Sequence, residues 1–571
     1  MATSWISFQG FAWFAWLSLV VYQVRPANGL PKRAPPTVKT SDGTTWIGKQ
    51  NLDIENFLGM PFAEPPLGNL RFAPPKPLTK GFGTFDASQY GYSCPQMLGD
   101  NTPIPAVSNL LSSALTDALK LPIFVAAGGN ASEDCLTINV QRPAGTTSKA
   151  KLPIMAFIYG GAFELGASAT YDGSSIVRRS MANKQPVIYV SFNYRLNSFG
   201  FLPGKEVASD PTTSVNAGLL DQRLALEWVA KNIAQFGGDP DKVTIFGESA
   251  GAISIGFQLI AYDGNIASVN TGRPLFRAAI MDSGAPIPVL GPENGQASFD
   301  VVARETGCST ASDKIACLRA VPYQKLLDAT NKLPGIFSVR SVSLAFLPRT
   351  DGKFLPRLAQ EAARKKTFAR VPIISGNQFD EGTILALGTY NITTDNAVKN
   401  WLRDVWFPRT TDAQRTKMLE LYPRNPTQGS PFDTGLLYAY TPQNKRISAM
   451  VGDFVFQAER RILLKAAQGI IPTWSYVSRA LRATPFLGTF HGSDLLSLFF
   501  SPLDPATEIQ SRYIAFANNL DPNVPGYPYW PQYGTNQTLL QFTDTKSSSM
   551  FDTYRKDAIA FWGDNADVLS L

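Results

Sequence analysis

Ser249 sits in Gly247-Glu248-Ser249-Ala250-Gly251, a G-x-S-x-G pattern, and His491 is the one histidine of the 571-residue chain. A serine that attacks a carbonyl at neutral pH needs a base that titrates near 7, and imidazole is the side chain with that ordinary pKa. If Ser249 is a nucleophile activated by histidine, its partner must be His491. A lone histidine taken by itself is more often structural, so the assignment depends on its surroundings. Acyl transfer also needs N–H donors aimed at the oxyanion that develops on the carbonyl. Gly160-Gly161-Ala162-Phe163 offers a turn with little side chain in the way. The N–H groups of Gly161, Ala162 and Ala250 are the candidate donors. A tight strand-end turn with no catalytic part is the plainer alternative.

These residues need elements to hold them. Val243–Phe246 reads as a buried strand and Ala252–Ile260 as a helix, the strand–turn–helix context that an exposed, strained serine requires. Short apolar runs at Ile154–Tyr159, Val187–Phe192, Ala278–Met281 and Val371–Ser375 suit strands covered on both faces. The pattern of Asp221–Asn232 is helical. Together they predict an α/β class with a large, mostly parallel central sheet and helices on both faces.

Composition excludes other classes. The chain is 44% hydrophobic and 17% charged, which is globular. The net charge of +7 is spread along the chain, and Arg364-Lys365-Lys366 is a short cluster, so no nucleic-acid partner is expected. With a single histidine and paired cysteines, neither a metal nor another cofactor is expected.

Phe11–Tyr22 is an apolar run too short for a comfortable membrane span, and Ala27 and Gly29 are placed for cleavage before Leu30. Residues 1–29 read as a secretion signal, although no Lys or Arg precedes the run. Lys32-Arg33 is a possible second processing site. Loss of residues 1–33 removes Arg25, Lys32 and Arg33 and no acid, so +7 falls to +4. No later segment is apolar enough for a membrane anchor, and a secreted, extracellular protein is expected. Residues 34–571 are expected to form a single domain. Cys94, Cys135, Cys308 and Cys317 allow three pairings, of which sequence neighbours with neighbours is the simplest. Asn130, Asn391 and Asn536 lie in glycosylation sequons, whereas Asn425 is followed by proline.

The ordered motifs resemble the type-B carboxylesterase/lipase family, the cholinesterase-like α/β-hydrolases. They include Phe57–Ala63 with Leu70-Arg71-Phe72, Glu133–Val140, Asn193-Tyr194-Arg195, Phe199–Leu202 and Phe236–Pro240. The Cys308/Cys317 spacing, Gly429–Gly435 and Lys445–Ala449 are most similar to secreted fungal lipases. The resemblance implies an α/β-hydrolase fold and cleavage of carboxylic esters through an acyl-enzyme on Ser249. It supplies the acid that local chemistry leaves open: Glu381 in Asp380-Glu381-Gly382, with His491 in Thr489-Phe490-His491-Gly492. Asp380 and Asp494 are rival acids. Ala162 departs from the glycine found in many members, which leaves its N–H available but narrows the room for bulky groups.

Within the loop 94–135, Val107, Leu110, Leu111, Ala114, Leu115, Ala118 and Leu119 recur at helical spacing opposite Ser108, Ser112, Thr116 and Lys120. By resemblance this amphipathic helix is a lid that opens at a lipid–water interface, and a helix packed permanently on the core is the alternative. Phe163, Phe454 and Phe456 are expected to contact substrate. A lipase for triacylglycerol or sterol esters is the leading expectation, and a carboxylesterase for short soluble esters the alternative.

Overall fold

Among the described residues, eleven strands form one sheet in the order β14-β13-β12-β11-β10-β9-β7-β8-β6-β4-β3. In chain order they are β3 (Lys49–Asn51), β4 (Ile54–Pro61), β6 (Thr137–Pro143), β7 (Leu152–Ile158), β8 (Ile188–Phe192), β9 (Gly238–Glu248) and β10 (Ala278–Asp282), then β11 (Ile373–Gln378), β12 (Thr473–Ser478), β13 (Thr538–Phe542) and β14 (Ser548–Phe551). The seven from β8 to β13 run parallel, and antiparallel strands finish both margins. A second, three-stranded sheet joins β1 (Thr37–Lys39), β2 (Thr45–Ile47) and β5 (Thr84–Asp86). The computed structural model describes residues 34–98, 130–500 and 506–571. Residues 36–571 form one unit, and of the preceding unit only residues 34–35 are described. The expected signal segment and the lid helix from Val107 to Leu119 lie outside the described residues.

The parallel strands read as continuous apolar runs because helices cover both their faces. Every residue of β8 and of β10 is buried. The helix Ala250–Ile260 is buried along its whole length, which is why its sequence is apolar all round. β9 starts five residues before the expected Val243, since Gly238 already pairs with Leu152. This is the α/β-hydrolase fold.

Two ion pairs explain motifs that carry no chemistry. Arg195 binds Asp221 of the helix Ala217–Asn232 through two nitrogens at 2.7 and 2.8 Å, both residues buried. Arg71 grips Glu133 and also donates to the carbonyls of Leu318 and Val321 at 2.9 and 2.6 Å. The base of the loop closed by Cys94–Cys135 is thereby tied to the segment that follows the Cys308–Cys317 loop. Buried guanidinium–carboxylate pairs of this kind are costly to break from one side, on the order of 3 kcal/mol or more.

Candidate active site

Ser249 follows the last residue of β9 and precedes the helix Ala250–Ile260, with φ 57° and ψ −127°. That backbone is strained for a residue with a side chain, and the neighbours hold it. A Cβ on Gly251 would come 1.9 Å from the carbonyl oxygen of Ile158, and one on Gly247 2.5 Å from the same atom. Only glycine lets strand and helix approach this closely. The N–H of Ser249 donates to the carbonyl of Asp282 at 3.0 Å, which fixes the turn on β10 as well.

His491 comes from the loop after β12 and Glu381 from the turn after β11, so the three side chains converge at the carboxyl ends of parallel strands. The imidazole Nε2 lies 2.7 Å from Ser249 Oγ, and Nδ1 lies 2.6 Å from Glu381 Oε2. The other oxygen of Glu381 accepts the N–H of Gln378 at 2.7 Å. The rival acids are engaged elsewhere. Asp380 accepts from the Ser430 hydroxyl and the N–H of Phe432 at 2.9 and 2.8 Å, and from the N–H of Thr489 at 3.1 Å. Asp494 faces the Tyr476 hydroxyl at 3.5 Å.

A residue inside the motif proves to be part of the site although its type carried no signal in the sequence. Glu248 Oε1 stands 3.4 Å from His491 Nε2. Burial pushes the Glu248 carboxyl up to about 8, against the pull of His491. Burial would lower the imidazole, but Glu248 and then Glu381 outweigh it and push His491 up to about 9.

Ser249, His491, Gly161, Ala162 and Ala250 face one cleft of about 1000 Å³ that opens to solvent. Its walls are mostly apolar, with Phe163, Ile336, Leu344, Phe456 and Leu571 among them, and Thr170, Tyr171 and Glu248 add polar groups. A Cβ on Gly160 would lie 2.7 Å from the Cβ of Ser249, so the glycine turn packs directly on the serine. Ala162 sits at φ 61° and Phe163 at φ 58°, a left-handed turn that places both beside the cleft. The N–H of Ala250 opens a helix and has no partner within it. Phe456 packs on His491 in a tilted contact, with ring centroids 4.6 Å apart and planes at 38°. Phe454 is not among the residues that line the cleft; it packs against Trp406, Phe407 and Trp562. Residues two apart on a helical turn point to different sides, which separates Phe454 from Phe456.

The disulfides are Cys94–Cys135 and Cys308–Cys317, and Asn130, Asn391 and Asn536 are exposed. Among the described residues no group of three or more His, Cys, Asp or Glu is arranged to hold a metal ion. No helix of these residues is long and apolar enough to cross a membrane.

Residues 35–562 match the carboxylesterase family. The chain is 43% identical over 558 residues to the secreted triacylglycerol lipase of Gibberella zeae, covering 96% of this chain and 93% of that protein. It is 44% identical over 509 residues to lipase 4 of Diutina rugosa, covering 88% and 90%. The crystal structure of Aspergillus niger EstA is similar with a TM-score of 0.79 at 28% identity, over 94% of this chain and 99% of that one. The chain belongs to the carboxylesterase family and is a carboxylic ester hydrolase.

Proposed function

From that membership we propose that the protein is a secreted lipase that cleaves water-insoluble esters, triacylglycerol or sterol esters, through an acyl-enzyme on Ser249. The observation that carries the chemistry is the continuous chain Ser249 Oγ–His491–Glu381, with links of 2.7 and 2.6 Å, opening into an apolar cleft. His491 Nε2 takes the Ser249 proton as Oγ attacks the ester carbonyl. The N–H groups of Gly161, Ala162 and Ala250 receive the oxyanion. The imidazolium gives its proton to the departing alcohol, and Glu381 holds the tautomer and the positive charge without taking the proton. Water, deprotonated by the same imidazole, then releases the acid.

Phe163 and Phe456 bound the substrate space. The amphipathic segment 107–120 serves as the lid that uncovers it at a lipid surface. Relatives named secreted lipases support export; removal of residues 1–29 and glycans at Asn130, Asn391 and Asn536 belong to the same reading and rest on the sequence alone. Rates on nitrophenyl esters of increasing acyl length, soluble and emulsified, test the reading. Long-chain esters should be favoured, with a gain in rate once an emulsion forms. A preference for short esters and no gain at the interface would make the protein a carboxylesterase for soluble esters.

A further inference from the structure

Behind the site lies a second acidic contact that the reaction as described does not use. Asp282 ends β10, and its carbonyl holds the N–H of Ser249 at 3.0 Å. Asp494 stands three residues after His491. Both carboxyls are buried, at 2% and 6% exposure. They meet each other side chain to side chain. Yet Asp282 Oδ2 and Asp494 Oδ1 find no donor among the described residues. Two ionised carboxylates are acceptors only, so this contact is a bond only if one of them carries a proton.

We propose that Asp282 and Asp494 share one proton, and that the resulting O–H···O bond is a positioning clamp joining the serine elbow to the histidine loop. The pair then carries a single negative charge close to His491. Burial, and for Asp282 also the charge of Asp494, raises both carboxyls above the ordinary carboxylate range, whereas the bond to Asp282 favours the ionised form of Asp494. The proton therefore belongs on Asp282, which donates to Asp494. The other titratable groups facing the pair are Glu248, Glu381, His491, Tyr476 and Tyr513; the two tyrosine hydroxyls are 3.0 Å apart, and that of Tyr476 lies 3.5 Å from Asp494.

The clamp has a signature that plain packing lacks. Asp282→Asn replaces the O–H donor by an amide N–H and keeps one charge, so the acid limb of kcat/KM on a soluble ester should stay in place. Asp282→Asn with Asp494→Asn keeps the bond and removes the charge, so the midpoint should fall by about half a unit. Asp494→Ala breaks the bond and should lower kcat about tenfold with KM little changed, because the imidazole is less well aimed. If Asp494→Ala does not fold, the two asparagine variants still decide. A midpoint that falls in Asp282→Asn alone and falls further in the double variant would mean two charges, and the shared proton is wrong; one that falls as far in the single variant as in the double would put the pair's only charge on Asp282 and overturn it as the donor. A double variant with the native midpoint would mean that no charge is felt, and the clamp is again wrong. The inference rests on His491 as the base; loss of activity in His491→Ala tests that premise separately.

Discussion

Ser249 and His491 meet at 2.7 Å, but opposite means bring them there. On the serine side the main chain does the holding. A positive φ at Ser249, glycines at 247 and 251 pressed on the Ile158 carbonyl, and the N–H bond to Asp282 leave the turn no freedom. On the histidine side carboxylates do it. Asp380 reaches 109 residues along the chain to the N–H of Thr489 and 50 to the Ser430 hydroxyl, and Glu381 reaches 110 to the imidazole. In the proposed mechanism, the nucleophile that must be strained is built from contiguous residues, and the base that must pass a proton is held by long-range bonds.

The largest expected effect breaks the pair where the two sides meet. Ser249→Ala and His491→Ala should each lower kcat at least about 10⁴-fold, because neither group activates anything without the other. The double variant should be hardly worse than either single. Steady-state rates on a soluble ester measure this, and an active Ser249→Ala enzyme would remove the mechanism altogether.

The next effect sets one side against the other. Gly251→Ala puts a methyl group 1.9 Å from the Ile158 carbonyl oxygen and should lower stability by about 3 kcal/mol or prevent folding. Asp380→Ala leaves two buried N–H groups and one hydroxyl without their acceptor, which costs on the order of 3 kcal/mol. Its mark is kinetic as well: kcat should fall more than the melting temperature predicts, since Thr489 and His491 share a loop. Thermal unfolding beside kcat at 25 °C separates the two. If Asp380→Ala loses stability and keeps its kcat, the histidine loop is held by something else.

The same contrast explains what could be read in advance. The elbow, the parallel strands and the glycine turn are local patterns, and local patterns survive in a sequence. Asp380 and Glu381 are adjacent acids that no local rule separates; resemblance favours Glu381, and in the structure Glu381 reaches His491 Nδ1 while Asp380 accepts from three other donors. Glu248 was hidden because an acid next to the nucleophile has no fixed meaning until the turn aims it at His491. Phe454 and Phe456 differ only in which side of a helical turn they occupy. Leu571, 322 residues after Ser249, lines the cleft because its N–H and carbonyl bond to Pro288 and Leu290.

The smallest effect sharpens the charge on the histidine side. Glu248 and Glu381 push His491 up to about 9, so imidazolium is favoured and activity, which needs the neutral ring, is lost as pH falls through that raised value. The acid limb of kcat/KM should therefore lie above the 6.5 of an ordinary imidazole. Glu248→Gln removes one of the two charges and should move the limb down by about one unit, toward the ordinary value. At neutral pH the variant should then be more active than the parent, the sign opposite to that of His491→Ala and Asp380→Ala. The NMR titration of the single histidine should move in step with the kinetic midpoint. A limb left in place by Glu248→Gln would show that Glu248 keeps its proton throughout, and that Glu381 alone raises the base.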